Sequence, residues 1–188
     1  MTVSPMAVSQ RDLETINALA LLGIGLVLAA AYAFQLALDE LPCPLCLLQR
    51  VAFAAIAFGF LLNLRYGMRA SHYGIVVLAA LFGMAVSGRQ VLLHIVPGTG
   101  AYGSAFLGLH FYSWAFVLFA ATVLATACLL LVQPRNGGEG AAPGILPHLA
   151  IVLAIALTLA NAATTFVECG PVECVDNPVR YWLFDKAT

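Results

Sequence analysis

Five apolar blocks in this chain meet or approach the length needed to cross a bilayer, and nothing else in the sequence restricts its fold so severely. A helix needs ~20 consecutive apolar residues to traverse the hydrocarbon. The blocks run approximately from Ile16 to Leu38, Leu47 to Leu64, Tyr73 to Val96, Phe111 to Val132 and Ile145 to Val167. Apolar residues surround each block instead of striping one face, as expected of helices bathed in lipid or packed inside a bundle. The expected fold is all-α, a polytopic membrane helix bundle. Composition agrees, since 62% of the 188 residues are hydrophobic, 9% are charged and the mean hydropathy is +0.96. The net charge of -1 and the scattered basic residues exclude a nucleic-acid binder. The first block is too long for a signal-peptide core and reaches Asp39 without a small-residue cleavage site, so it is expected to remain as an anchor.

Orientation follows from the Lys and Arg residues of the short loops. Arg11, Arg65, Arg69 and Arg135 fall on one side if the blocks alternate, while the loops Asp39 to Cys46 and Pro97 to His110 carry none. The N-terminus is therefore predicted inside and the C-terminal tail outside, although Arg180 and Lys186 in that tail run mildly against the rule. The whole chain, 1–188, reads as one membrane domain. Its parts are a four-helix core over 16–133, a linker with the fifth span over 134–167, and a cysteine-containing outer tail over 168–188.

Four of the five cysteines lie near the outer loops, where disulfides persist. Cys128 sits within the fourth block and reads as a small buried hydrophobe. Cys43-Pro44-Leu45-Cys46 opens the second span with thiols one helical turn apart, a spacing that allows a short, reducible disulfide. Pro42 and Pro44 suit a first helical turn, and the positive helix end favours a thiolate. The same spacing also begins zinc sites, but a membrane interface suits redox chemistry better. Arg50 lies one turn past Cys46 in an otherwise uncharged span, at an insertion cost of ~2.5 kcal/mol or more. It either snorkels to the outer head groups or holds a carbonyl oxygen of an electron acceptor and stabilises charge as that group is reduced.

Arg89 and His94, near the outer end of the third span, are candidates for the same pocket. Tyr112 and Trp114 read as an outer aromatic belt, and His72 and His148 belong to the inner side. The second pair, Cys169 and Cys174, flanks Gly170-Pro171, a turn able to bring the sulfurs together. Glu168 and Glu173 disfavour a standing thiolate there and suit a disulfide attacked from outside. A static brace for the tail is the alternative.

Leu41-Pro42-Cys43-Pro44-Leu45-Cys46-Leu47-Leu48-Gln49-Arg50 resembles the signature of the bacterial disulfide bond formation protein B (DsbB) family. Gly88-Arg89-Gln90, His94-Ile95-Val96-Pro97 and Gly108-Leu109-His110-Phe111-Tyr112-Ser113-Trp114 resemble later family blocks, so the similarity covers about Ile16 to Gln133. The resemblance implies a four-helix bundle in the bacterial inner membrane that oxidises a periplasmic thioredoxin-like thiol oxidase (DsbA-like). Its electrons would pass to membrane quinone, ubiquinone or menaquinone. Cys43 and Cys46 match the quinone-facing pair, and Arg50 the quinone-contacting arginine. The family's partner-facing pair usually sits between the third and fourth spans, where this chain has no cysteine; Cys169 and Cys174 lie instead after an added fifth span. Two further readings stay open: an outward-directed reductant conduit, and a metal-binding membrane protein using the four outer thiolates.

Overall fold

The computed structural model describes residues 9–132 and 144–185; Arg135, Lys186 and the start of the predicted linker lie outside the described residues. The elements run α1 (Gln10–Ala37), α2 (Pro44–Tyr66), α3 (Ala70–His94), β1 (Ala105–Phe106), β2 (Leu109–His110), α4 (Phe111–Val132), α5 (Ile145–Cys169) and α6 (Trp182–Asp185). The five long helices are all apolar enough to cross a membrane. The all-α polytopic bundle with a fifth transmembrane helix is thus the observed architecture.

Local chemistry sets the helix ends. Ser9 caps α1 by accepting from the Asp12 N–H at 3.2 Å. Cys43 caps α2, its Sγ accepting from the Cys46 N–H at 3.2 Å, and Pro44 takes the first helical position, where a missing N–H costs nothing. Pro42, expected in the first helical turn, instead falls two residues before the helix, ahead of the Cys43 cap. At the far end of α5, Gly170 has φ 66°, and a Cβ there would lie 2.5 Å from the Trp182 ring. Only glycine permits both that conformation and the tail folding back over it.

The helix order places the site. α2 is central, packed on α1 and α3; α4 packs on α3, and α5 packs chiefly on α1 with a smaller contact to α2. The core joins Leu21, Leu28, Phe53, Ile56, Tyr73 and Phe119, with Phe53 and Phe119 stacked at 4.1 Å. Gly83 gives the Phe119 ring its seat in α3, since a Cβ there would fall 2.4 Å from it. A buried polar lock closes the end of the bundle where α2 turns into α3: Asn17 donates to Tyr73 Oη at 2.7 Å, and Asn63 donates to Asn17 at 3.0 Å while its Oδ1 meets His72 Nδ1 at 3.1 Å. His72 is thus part of the bundle's packing. Between α1 and α4 the helices part, leaving an apolar groove lined by both. Cys128 corrects its sequence reading, because it sits exposed on the outside of α4 instead of within the bundle. The all-apolar sequence of α4 gives no sign of which side faces lipid.

Candidate functional site

The loop after α3 becomes a strap over the start of α2. β1 and β2 pair antiparallel through a turn with Leu107 at φ 49° and Gly108 at φ 83°, the left-handed conformations of a tight two-residue hairpin. Tyr102 donates its hydroxyl to Leu41 O at 2.6 Å, Ser104 hydrogen-bonds the Glu40 carboxylate through both N–H and hydroxyl, and Trp114 Nε1 donates to Phe106 O at 2.8 Å. Burial pushes the Tyr102 phenol up from its ordinary range, so it remains a donor. Hydropathy and composition do not mark this hairpin, because the strap that leads into it is anchored on residues that lie 61 and 64 positions earlier in the chain.

Beneath the strap, α1, α2 and α4 enclose a cavity of about 390 Å³. Its walls are apolar apart from a few groups, among them Cys46, Arg50, Gln35, Gln49 and Tyr102. Cys46 and Arg50 therefore share one chamber, as their spacing of one turn predicted. Trp114 and Tyr112 also line it, which corrects their reading as mere belt residues.

Cys43 and Cys46 are free thiols. Gln90, 1% exposed, holds them both: its Nε2 lies 3.3 Å from Cys43 Sγ and 3.5 Å from Cys46 Sγ. Gln49 Nε2 donates to Gln90 Oε1 at 2.7 Å, which fixes the amide with its N–H groups toward the sulfurs. The hydrogen bond with Cys46, reinforced by burial, pushes the Cys43 thiol up from its ordinary range. Cys43 keeps its proton, so the cavity-facing Cys46 is the sulfur left to act as thiolate. Replacing Gln90 with Leu should strip both sulfurs of a donor and leave the buried Gln49 amide unpaired, costing about 1–3 kcal/mol. The check is a lower thermal midpoint together with several-fold slower alkylation of Cys46 at fixed pH. Unchanged alkylation would reduce Gln90 to a packing group.

Arg50 does not snorkel. Its guanidinium donates to Gln35 Oε1 at 2.7 Å, Ala31 O at 3.0 Å and Asn161 Oδ1 at 3.3 Å, tying α2 to α1 and α5. Glu168, only 4% exposed, turns inward from α5 and interacts electrostatically with Arg50 and Cys46. That corrects its placement beside the tail thiols alone. Arg89 is exposed on α3 and does not line the cavity, contrary to the expected pocket role. His94 is not in the lining either; its Nδ1 meets Gln90 O at 2.9 Å and its ring stacks on Tyr112 at 5.3 Å, one layer behind the wall. Cys169 and Cys174 form a disulfide with Cα atoms 4.8 Å apart. The tail that follows reaches the cavity rim, where Gln35 Nε2 lies 3.4 Å from Tyr181 Oη. No group of three potential metal-ligating side chains occurs among the described residues.

Comparison with known proteins completes the picture. The profile of the family described as "Disulfide bond formation protein DsbB" matches residues 13–101, which hold α1 to α3 and the first part of the strap. The "Disulfide bond formation protein B" of Xanthomonas euvesicatoria pv. vesicatoria is 45% identical over 76 residues, covering 38% of this chain and 44% of the relative. The chain thus spans less than half the length of that relative. The "Disulfide bond formation protein B 1" of Pseudomonas syringae pv. syringae is 34% identical, covering 64% of this chain and 91% of the relative, and the P. syringae pv. tomato protein is 33% identical with the same coverage. No solved structure gives a significant match. A relative matched over nine-tenths of its length, together with the C-x-x-C at the head of α2, shows that the chain belongs to the DsbB family.

Proposed function

We propose that this chain is a quinone-dependent thiol-disulfide oxidoreductase of the bacterial inner membrane, with its N-terminus cytoplasmic and its tail periplasmic. In this reading it oxidises a periplasmic thioredoxin-like (DsbA-like) thiol oxidase and thereby supports protein disulfide formation. The observation that carries the reading is the sharing of one apolar cavity by Cys46 and Arg50, with Gln90 behind the sulfur.

The residues present fit a quinone. A second apolar space of about 280 Å³ lies along the α1–α4 groove and shares Val27 and Leu118 with the cavity lining, an arrangement that suits a planar head with a hydrocarbon tail. Arg50 would hold a carbonyl oxygen, Cys46 would face the ring, and Tyr112 and Trp114 would supply aromatic walls. When bound, a quinone supplies a two-electron, two-proton sink. The chain's own part is to hold Cys46 beside that sink, keep the proton on Cys43 until disulfide closure releases it, and place positive charge where negative charge develops. Cys169 and Cys174 would receive electrons from the soluble partner and pass them to Cys43 and Cys46. The contact of α5 with α2 supports such an exchange.

Purified protein given a reduced thioredoxin-like donor and a soluble ubiquinone or menaquinone analogue should bleach the quinone absorbance in proportion to donor disulfide formed. Protein that consumes no quinone but carries stoichiometric zinc or copper would select the metal-binding reading instead.

A further inference from the structure

Glu168 is a buried acid for which the reading above has no use. It is 4% exposed, and neither carboxylate oxygen has a hydrogen-bond partner. A buried carboxylate costs several kcal/mol unless it is compensated by charge or carries a proton. Asn161, two turns earlier on the same face of α5, holds the Arg50 guanidinium against this helix, and the titratable groups that interact electrostatically with Glu168 are Arg50 and Cys46 from α2 and Tyr102 from the strap. Gln35 and Asn161, which hold Arg50 in place, are neutral. The positive charge of Arg50 thus acts on two acids of the site, Glu168 and Cys46, and also interacts with Cys43 and with Tyr181 of the tail.

We propose that Glu168 and Cys46 share a single proton opposite Arg50, so that the site stays neutral as Cys46 becomes a thiolate. In one form the thiol is neutral and Glu168 balances Arg50; in the other Cys46 is the thiolate and Glu168 bears the proton. Both forms sum to zero charge, which a low-dielectric pocket strongly prefers. Disulfide closure then joins Cys43 Sγ to Cys46 Sγ and removes two electrons from the sulfurs. The proton of Cys43 and the proton of Glu168 leave with those electrons for the acceptor, a quinone in the reading this inference rests on. Glu168 ends as the carboxylate that balances Arg50. It acts through the charge of Arg50 and the ionisation of Cys46, and is thus a positioning residue that the fifth helix contributes to the thiol site.

The test reads the proton, not turnover. Reduced full-length protein is alkylated with iodoacetamide across a pH series, and Cys46 modification is followed by mass spectrometry. Two groups coupled by more than about one pK unit titrate in two macroscopic steps. Wild-type Cys46 should accordingly show a two-step profile, and Glu168→Gln a single step complete about one pH unit lower, with Glu168→Asp keeping both steps. Wild-type and Glu168→Gln profiles that superimpose would overturn the proposal. Should the Gln variant fail to fold, the wild type alone decides: its reduced-minus-oxidised infrared difference spectrum should contain a protonated-carboxyl band, and its absence overturns the proposal equally. Neither readout needs an acceptor. A protein with the two-step profile that reduces no quinone loses only the functional reading, whereas one that reduces quinone with superimposed profiles loses only this inference.

Discussion

Arg50→Ala should lower the rate of quinone reduction by about 100-fold or more, the range seen when a preorganised donor at developing negative charge is removed. The effect is expected to be large because three acceptors on two neighbouring helices, Gln35, Ala31 and Asn161, hold the guanidinium in place before any acceptor binds. That preorganisation costs nothing at the moment of reaction. Stability should fall as well, since Gln35 Oε1 is left buried without its donor and the α5 contact through Asn161 is lost; each unpaired acceptor costs about 1–3 kcal/mol. Stopped-flow bleaching of the quinone separates the two effects when compared with closure of the Cys43–Cys46 disulfide by a small oxidant such as diamide. The first should collapse and the second persist. Arg50→Lys should recover only part of the rate, because a single ammonium cannot reproduce a planar fork that reaches two helices. If the Ala variant reduced quinone at the wild-type rate, Arg50 would be a tie between helices and nothing more.

What was legible in the sequence follows from what lipid demands of a chain. Span lengths and the helix start at Pro44 are written in hydropathy and capping chemistry, so they could be read without a structure. Rotation about each helix axis could not, because a helix apolar on all sides carries no mark of its inward face. Arg89 and Gln90 illustrate the loss. Adjacent residues point about 100° apart, so only one of them can face α2, and charge drew attention to the wrong one. Gln90 turns inward and holds both sulfurs, while Arg89 stays on the exposed side. Glu168 was misplaced for the same reason: its neighbour Cys169 suggested a role at the tail disulfide, yet its side chain is buried and interacts electrostatically with Arg50. Arg50 itself was legible because a charge inside an apolar span needs partners, whichever way the helix turns.

Cys169→Ser should leave Cys174 covalently joined to the soluble partner, and turnover with that partner should fall to background. The asymmetry of the pair sets this order. Cys169 is only 7% exposed at the end of α5, whereas Cys174 lies half-buried in the loop that follows, so an incoming thiolate reaches the sulfur of Cys174 first. Attack there forms a mixed disulfide and expels Cys169, whose normal task is to resolve the complex or to carry the electrons inward. The Cys169→Ser variant has no tail disulfide to be opened, so its Cys174 thiolate instead attacks the disulfide of oxidised partner. One partner thiol leaves, no second tail thiol resolves the mixed disulfide, and the complex accumulates on non-reducing gels. Cys174→Ser should lose turnover too but trap nothing, because the remaining sulfur, that of Cys169, is buried at the end of α5 and out of the partner's reach. The thiol left at Cys174 in the first variant, prepared without partner, also reports orientation: a membrane-impermeant maleimide should label it from the periplasmic side of intact cells. Labelling only after the inner membrane is opened would put the tail on the wrong side for this exchange. Full turnover in both variants, with no trapped complex in either, would make the tail disulfide a static brace and leave Cys43 and Cys46 to meet the partner directly.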